Sequence, residues 1–178
     1  MNETVNAVDS LRVPAKRNLA ALRAGIEEAA RSEGTLLRAV FRSPRHGVIS
    51  VAGAGQRSAV MNALGVANFF VDPGAKPAGD LVTVGPDEAE QSGEETPVAE
   101  LEHADIVTAG FEHPVYGDFG ITGAALAAAD SEDLWLGGWL LRAAGQPAAH
   151  LRSVHRHGAA ADLGFETPAR LQALDVAV

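Results

Sequence analysis

Helical periodicity appears in one long stretch near the start of the chain. Within residues 15–32, Leu19, Leu22, Ile26, Ala29 and Ala30 recur at helical spacing, and Arg17, Arg23, Glu27, Glu28 and Arg31 fill the other side. That spacing gathers the apolar side chains on one helical face. Pro14 suits the first turn, where its missing N–H costs nothing, and Gly34 suits the C-terminal stop. Residues 1–34 are therefore predicted to hold one amphipathic helix that lies on a sheet, with residues 1–12 frayed ahead of it. A dimerisation or partner helix is the alternative use of its apolar face.

Beyond Gly34 the apolar runs shorten to strand length. Leu36, Leu37, Val40 and Phe41 precede Ser43-Pro44-Arg45-His46-Gly47, and Val48, Ile49 and Val51 follow it. Proline fixes φ and glycine tolerates positive φ, so the two runs are predicted to form a hairpin. Residues 66–71 and 134–142 read as further strands, and residues 81–85 and 151–155 as closing strands. Residues 58–64 read as a turn or a short helix, and residues 128–134 as a polar turn. Residues 86–97 are acidic and bracketed by prolines, which predicts a solvated linker. Residues 98–104 are expected to lead in as a strand. Thr167 at an N-cap and Pro168 at N1 predict a short final helix through Leu174.

The pattern occurs twice. Residues 39–54 and 109–124 align without gaps at an offset of 70, matching Phe41 with Phe111, Pro44 with Pro114, Gly47 with Gly117 and Gly53 with Gly123. Over residues 35–84 against 105–154, 12 of 50 positions are identical. An offset held that long is a repeat signal. The predicted fold is mainly β (α+β): two duplicated small antiparallel β units, small-barrel-like or packed on each other, with an N-terminal amphipathic helix and a short C-terminal helix. The expected organisation is an N-terminal helix (1–34), a first β repeat (35–85), an acidic linker with its lead-in strand (86–104), a second β repeat (105–157) and a C-terminal helix (158–178).

Charge sharpens this picture. Residues 1–57 carry nine Lys/Arg against five Asp/Glu, whereas residues 58–135 carry one Lys against fifteen acids. So acidic a middle repels phosphate backbones, and nucleic-acid binding is disfavoured except through a basic first hairpin formed by Arg38, Arg42, Arg45 and Arg57. The chain has no cysteine, which excludes disulfides and thiolate metal sites. No run approaches ~18 consecutive apolar residues, and the first residues lack a signal-peptide core, so no membrane partner and a cytoplasmic location are expected. Abundant Ala, Gly and Arg with only two lysines suggest a bacterial source.

Candidate chemistry is sparse. His155 and His157 would share one face of a strand, and with His150, His113 or Asp162 could hold a divalent metal; an exposed polar pair is the simpler reading. Gly53, Gly55 and Ser58 with Asp72 superficially follow the dinucleotide fingerprint, but the helix is too short and the preceding strand belongs to a hairpin. Ser153, His155 and Asp162 have no motif behind them as a triad. Trp135 and Trp139 would fall on one face of a single strand, and half-exposed Trp suits a contact surface. The expected function is a non-enzymatic protein-binding or structural module in a bacterial cytoplasmic or phage-type assembly. It would contact a protein partner or another copy through Trp135, Trp139, Tyr116, Arg42 and Arg45, and needs no cofactor. The alternatives are a small metal- or ligand-dependent enzyme using His155 and His157, and a nucleic-acid binder using the first hairpin.

Overall fold

The computed structural model describes residues 7–14, 16–60, 62–73, 81–87 and 94–172. The helix-period stretch forms α1 (Leu19–Arg31), which starts later than Pro14 suggests because Asn18 is the cap: its side chain accepts from the Ala21 N–H at 3.1 Å. Gly34, at φ +89°, closes the following turn as expected. The residues ahead of α1 are not all frayed. Ala7–Leu11 form one 3-10 turn that buries Ala7, Val8 and Leu11; residues 1–6 lie outside the described residues.

The rest is mainly antiparallel β. The strands are β1 (Leu36–Ser43), β2 (Gly47–Ser58), β3 (Ala63–Val66), β4 (Phe69–Pro73), β5 (Leu81–Pro86) and β6 (Glu94–Glu95). They continue as β7 (Asp105–His113), β8 (Gly117–Ala124), β9 (Leu126–Ala127), β10 (Leu134–Leu136), β11 (Trp139–Ala143), β12 (Gln146–Pro147) and β13 (Leu151–Ala159). The central sheet runs β5–β1–β2–β8–β7–β13–β6, and the far half of β2 also carries β3 and β4. A second, small sheet has the order β12–β11–β10–β9. Among the described residues the central sheet stays open, with β5 and β6 at its edges, and the expected barrel closure is not found.

Three further expectations are corrected. The apolar run 134–142 is not one strand but a hairpin: Gly137 and Gly138 sit at φ +57° and +87° and turn the chain between β10 and β11. Two consecutive positive φ values belong to a two-residue hairpin turn, which glycine adopts without strain. Residues 98–104 hold a 3-10 turn (Val98–Glu100) rather than a lead-in strand. The final helix does not form over its described part. Leu171 instead bridges Ala128 in parallel, donating to Ala127 O at 2.9 Å and accepting from the Ala129 N–H at 2.7 Å. Those long-range bonds satisfy the backbone groups a helix would have used, and they bury Leu171. Residues 173–178 lie outside the described residues, as do residues 88–93, half of the acidic linker.

Strand alternation decides the core. Leu37, Ala39 and Phe41 of β1, Ile49 and Val51 of β2, Val107, Ala109 and Phe111 of β7, and Phe119 and Ile121 of β8 face inward and are buried. They pack against Leu64, Val66 and Val71 of the first small hairpin, Leu134, Leu136 and Leu141 of the second, and Leu22 and Ala29 of α1. At roughly 1.5–3 kcal/mol for each large apolar side chain, this one face holds most of the hydrophobic stabilisation. A second cluster on the outer face joins Val8 and Leu11 to Ile106, Ala124, Leu126 and Leu171. Across the sheet beside it runs a polar strip. Arg38 pairs with Asp87 at 3.0 Å and donates to the buried Ser50 Oγ at 2.7 Å, and the Thr108 and Thr122 hydroxyls share a hydrogen bond at 2.8 Å.

Gly25 sets how closely α1 can approach. A Cβ there would stand 2.4 Å from the carbonyl oxygen of Val84 in β5, so the helix rests directly on the strand backbone. Gly25→Val should therefore lift α1 and cost about 1–3 kcal/mol in urea unfolding, the usual range for overpacking. Gly85→Ala, where a Cβ meets nothing within 4 Å, should stay within about 0.5 kcal/mol of wild type. Equal effects of the two substitutions would contradict this packing.

Candidate protein-binding surface

The second hairpin turns through His113-Pro114-Val115-Tyr116-Gly117, with Gly117 at φ +70°. His113 closes the turn: its Nδ1 accepts from the N–H groups of Val115 at 3.1 Å and Tyr116 at 3.4 Å. Accepting there leaves the ring proton on Nε2 in the neutral imidazole. The first hairpin is closed the same way by Ser43 Oγ, which accepts from the N–H groups of Arg45 and His46 at 3.3 and 3.2 Å. A short side-chain acceptor at the first turn position mimics a backbone turn and fixes the tip.

Trp139, at the start of β11, lies beneath this tip. Its ring stands edge-on to Phe119 at 4.9 Å and lies 5.6 Å from Phe111, and those two phenylalanines stack at 5.3 Å. Its indole N–H donates to Asn68 Oδ1 at 3.0 Å, across from the first small hairpin. Toward solvent, Trp139 meets the rings of His113 at 5.8 Å and Tyr116 at 6.4 Å, both near perpendicular. His113 lies 4.7 Å from Tyr116 and 4.8 Å from His150, whose Nδ1 bonds to the carbonyl oxygen of Glu112 at 3.1 Å. The result is a contiguous aromatic patch with buried phenylalanines below and half-exposed rings above. Val115 at the tip is 70% exposed. The rings touch each other, so the patch holds no cage for a small cation. It offers instead a preorganised apolar surface with polar edges, the composition that dominates protein interfaces.

Of the predicted contact residues, the structure brings Tyr116 and Trp139 together and adds His113 and His150, which the sequence had suggested only as metal ligands. Trp135 is elsewhere. The Gly137-Gly138 turn sends it to the second apolar cluster, against which Val48 and Leu163 also pack, and its indole nitrogen is buried without a hydrogen-bond partner. Arg42 and Arg45 belong to the first hairpin, which lines an open groove of about 620 Å³ with residues 165–171. Arg42 donates to the Pro14 carbonyl at 2.7 Å. Arg38, counted with the basic first hairpin, is committed to Asp87 and Ser50.

His155 and His157 lie in β13, but a register shift between Arg156 and Gly158 breaks the alternation there. His157 Nε2 is engaged by Thr108 Oγ1 at 2.8 Å, and His155 Nδ1 is buried without a hydrogen-bond partner. Among the described residues no three His, Asp or Glu side chains converge on a point that could hold a metal ion, and no hydrogen bond links Ser153, His155 and Asp162. The dinucleotide-like glycines are packing glycines within β2: a Cβ on Gly55 would stand 2.7 Å from Leu37 Cδ1, and no helix follows. Two polar anchors gave no local signal in the sequence. The buried Asp105 pairs with Arg156 at 3.1 Å and accepts from the Glu102 N–H at 2.9 Å. His103 accepts from the Ala127 N–H at 3.0 Å and bonds through Nε2 to the Pro168 carbonyl at 2.7 Å, which ties residues 165–171 to β9.

Burial, and secondly the neighbouring His155, push the His157 pKa below its usual 6.5. Its neutral form is therefore favoured by folding. Stability from this residue is intact above that usual value and falls as pH drops from it toward the lowered folded value. His157→Asn should flatten the loss of urea stability between neutral pH and pH about 5. An unchanged slope would place the acid sensitivity in other groups. Comparison of the chain with known protein families, with curated proteins and with solved structures finds no match.

Proposed function

We propose that this chain is a non-enzymatic protein-binding and structural module made of two copies of one β unit, serving in a bacterial cytoplasmic or phage-type assembly. In this reading the partner docks on the Tyr116–Trp139 patch. The observation that carries it is the strand register, which recurs at the sequence offset of 70. Phe41 opposes Leu81 as Phe111 opposes Leu151, and Ala39 opposes Val84 as Ala109 opposes Val154. Leu64 opposes Asp72 as Leu134 opposes Arg142, with a register shift after the same position in both. Between the units Val51 opposes Ile121, its own counterpart, the pairing that a local twofold through that pair requires.

The two shared glycines fit the same symmetry. A Cβ on Gly53 would meet Phe119 Cβ at 3.1 Å and Val66 Cγ1 at 3.2 Å; one on Gly123 would meet Ile49 Cγ2 at 3.0 Å and Leu136 Cδ1 at 3.4 Å. Each of those neighbours is the counterpart of the other. Positions common to both units thus make turns, seams and cores, whereas the patch exists in one unit only. Where the second unit has His113, Tyr116 and Trp139, the first has Ser43, His46 and Phe69. A binding surface added to one copy of a shared framework accounts for both facts.

Two measurements test this. Gly53→Val and Gly123→Val should each lower urea stability by about 1–3 kcal/mol and by similar amounts, because each overfills an equivalent seam site. In extracts of the native host, the immobilised chain should retain a polypeptide that Tyr116→Ala loses by roughly thirtyfold or more, the scale of an interface hot spot. Leu19→Ser, an exposed site at the far side of the molecule, should retain it fully. Undiminished retention by Tyr116→Ala would remove the patch from the interface.

A further inference from the structure

We infer that the partner of the second hairpin is a second copy of this chain, docked head to tail, with the second hairpin tip of one molecule seated in the groove beside the first hairpin of the next. The inference rests on the protein-binding reading above and names its partner. Three observations lead to it. The first is placement. β2 and β8 pair antiparallel through Val51 and Ile121, so the two hairpin tips leave the central sheet in opposite directions. Six residues separate each tip from that pair, so at most roughly 40 Å of strand runs between the tips at ~3.3 Å per residue. Two unlike surfaces at opposite ends cannot meet within one molecule, but they can meet between neighbours.

The second observation is shape and polarity. The second tip is a knob: Pro114 and Val115 project, with Tyr116 behind them. The first hairpin borders a groove floored by apolar groups, among them Val48, Ile106, Ala124 and Phe165. The third is charge. Among the described residues that line the groove, Arg42, Arg45 and Arg170 stand against one acid, Glu166. The knob is flanked by the exposed Asp118 and by Glu112, which contacts Arg152. Across the whole chain the first 57 residues are net basic and the following 78 strongly acidic. Copies of a molecule at net charge −9 repel one another on average, and the basic groove is the surface on which an acidic end of a neighbour is welcomed. Such an interface is heterologous. It closes into a ring or extends as a filament, according to the rotation between neighbours.

Sedimentation of the purified full chain over a wide concentration range tests this. Wild type should grow in mass with concentration and revert toward 18.4 kDa monomers in high salt. Arg45→Glu, which spoils the groove, and Val115→Asp, which spoils the knob, should each sediment as monomers. An equimolar mixture of the two should stop at a dimer, because one good knob and one good groove remain. Tyr116→Ser serves as the second knob variant should Val115→Asp lose its circular-dichroism signal. A mixture that stays monomeric overturns head-to-tail docking. So does self-association lost in Val115→Asp but kept in Arg45→Glu, which would mean a symmetric patch-to-patch contact. Monomeric wild type at every concentration overturns self-docking alone. The protein-binding reading then stands or falls on whether Tyr116→Ala loses the polypeptide retained from host extract.

Discussion

The β2–β8 seam is the constraint on which the architecture depends. Four residue pairs, 50–53 against 119–122, join the two halves of the central sheet. Their backbone bonds are each worth only about 0.5–1.5 kcal/mol net. The strength of the seam comes from what stands on either side of it. Inward, Val51 and Ile121 are fully buried, with Ile49 and Phe119 beside them. Outward, Ser50 and Thr122 are just as buried but polar, and each has its hydroxyl satisfied, one by Arg38 and the other by Thr108. An unmet hydroxyl at either place would cost as much as a lost apolar contact. Gly53 and Gly123 let the strands and the small hairpins close over this line without a Cβ in the way.

The long outer strands β13 and β5 are each covered by chain that precedes them in sequence. On β13 the cover is a strand: Glu95 and Glu94 pair with His155 and Arg156, and the Thr96 N–H reaches Val154 O at 3.0 Å. On β5 the cover is α1, with Gly25 over Val84 O and Arg17 Nη1 donating to Leu81 O at 3.0 Å. An uncovered edge would template strand addition, and a chain with so few lysines cannot blunt it by that common route. The two covers therefore differ in kind, a strand on β13 and a helix on β5.

What was legible in the sequence was local. Prolines and glycines at fixed offsets marked both large hairpins, because turn geometry is written in the turn residues themselves. The 3.6-residue spacing of Leu22, Ile26 and Ala29 marked α1 and its buried face. Misreadings arose where a local signal had two physical meanings or lost to a distant contact. Gly137-Gly138 fits a strand bulge as well as a two-residue turn, and only pairing between Leu136 and Trp139 decides for the turn. Thr167-Pro168 has the composition of a helix start, yet His103 holds the Pro168 carbonyl and Ala127–Ala129 hold Leu171. In the candidate surface, Tyr116 and Trp139 stood out as aromatic residues. Their union with His113 and His150 depends on β11 passing beneath the β7–β8 tip, which no spacing along the chain reveals.

The two hairpin tips are alike in how their turns are closed and unlike in what they present to solvent. A twofold framework by itself would present two like ends, and like ends support only symmetric pairing. Here the framework keeps the turn geometry at both ends, down to a side-chain acceptor at the first turn position, Ser43 or His113, while everything that faces outward differs. One tip is aromatic and acid-flanked, the other arginine-rich and set beside a groove that residues 165–171 complete. Residues 165–171, the C-terminal segment, belong to the first hairpin's end of the sheet. Over its described part this segment is held by His103 and by Leu171 rather than by a helix, and it makes the first hairpin's end of the sheet a groove where the second hairpin's end is an aromatic patch.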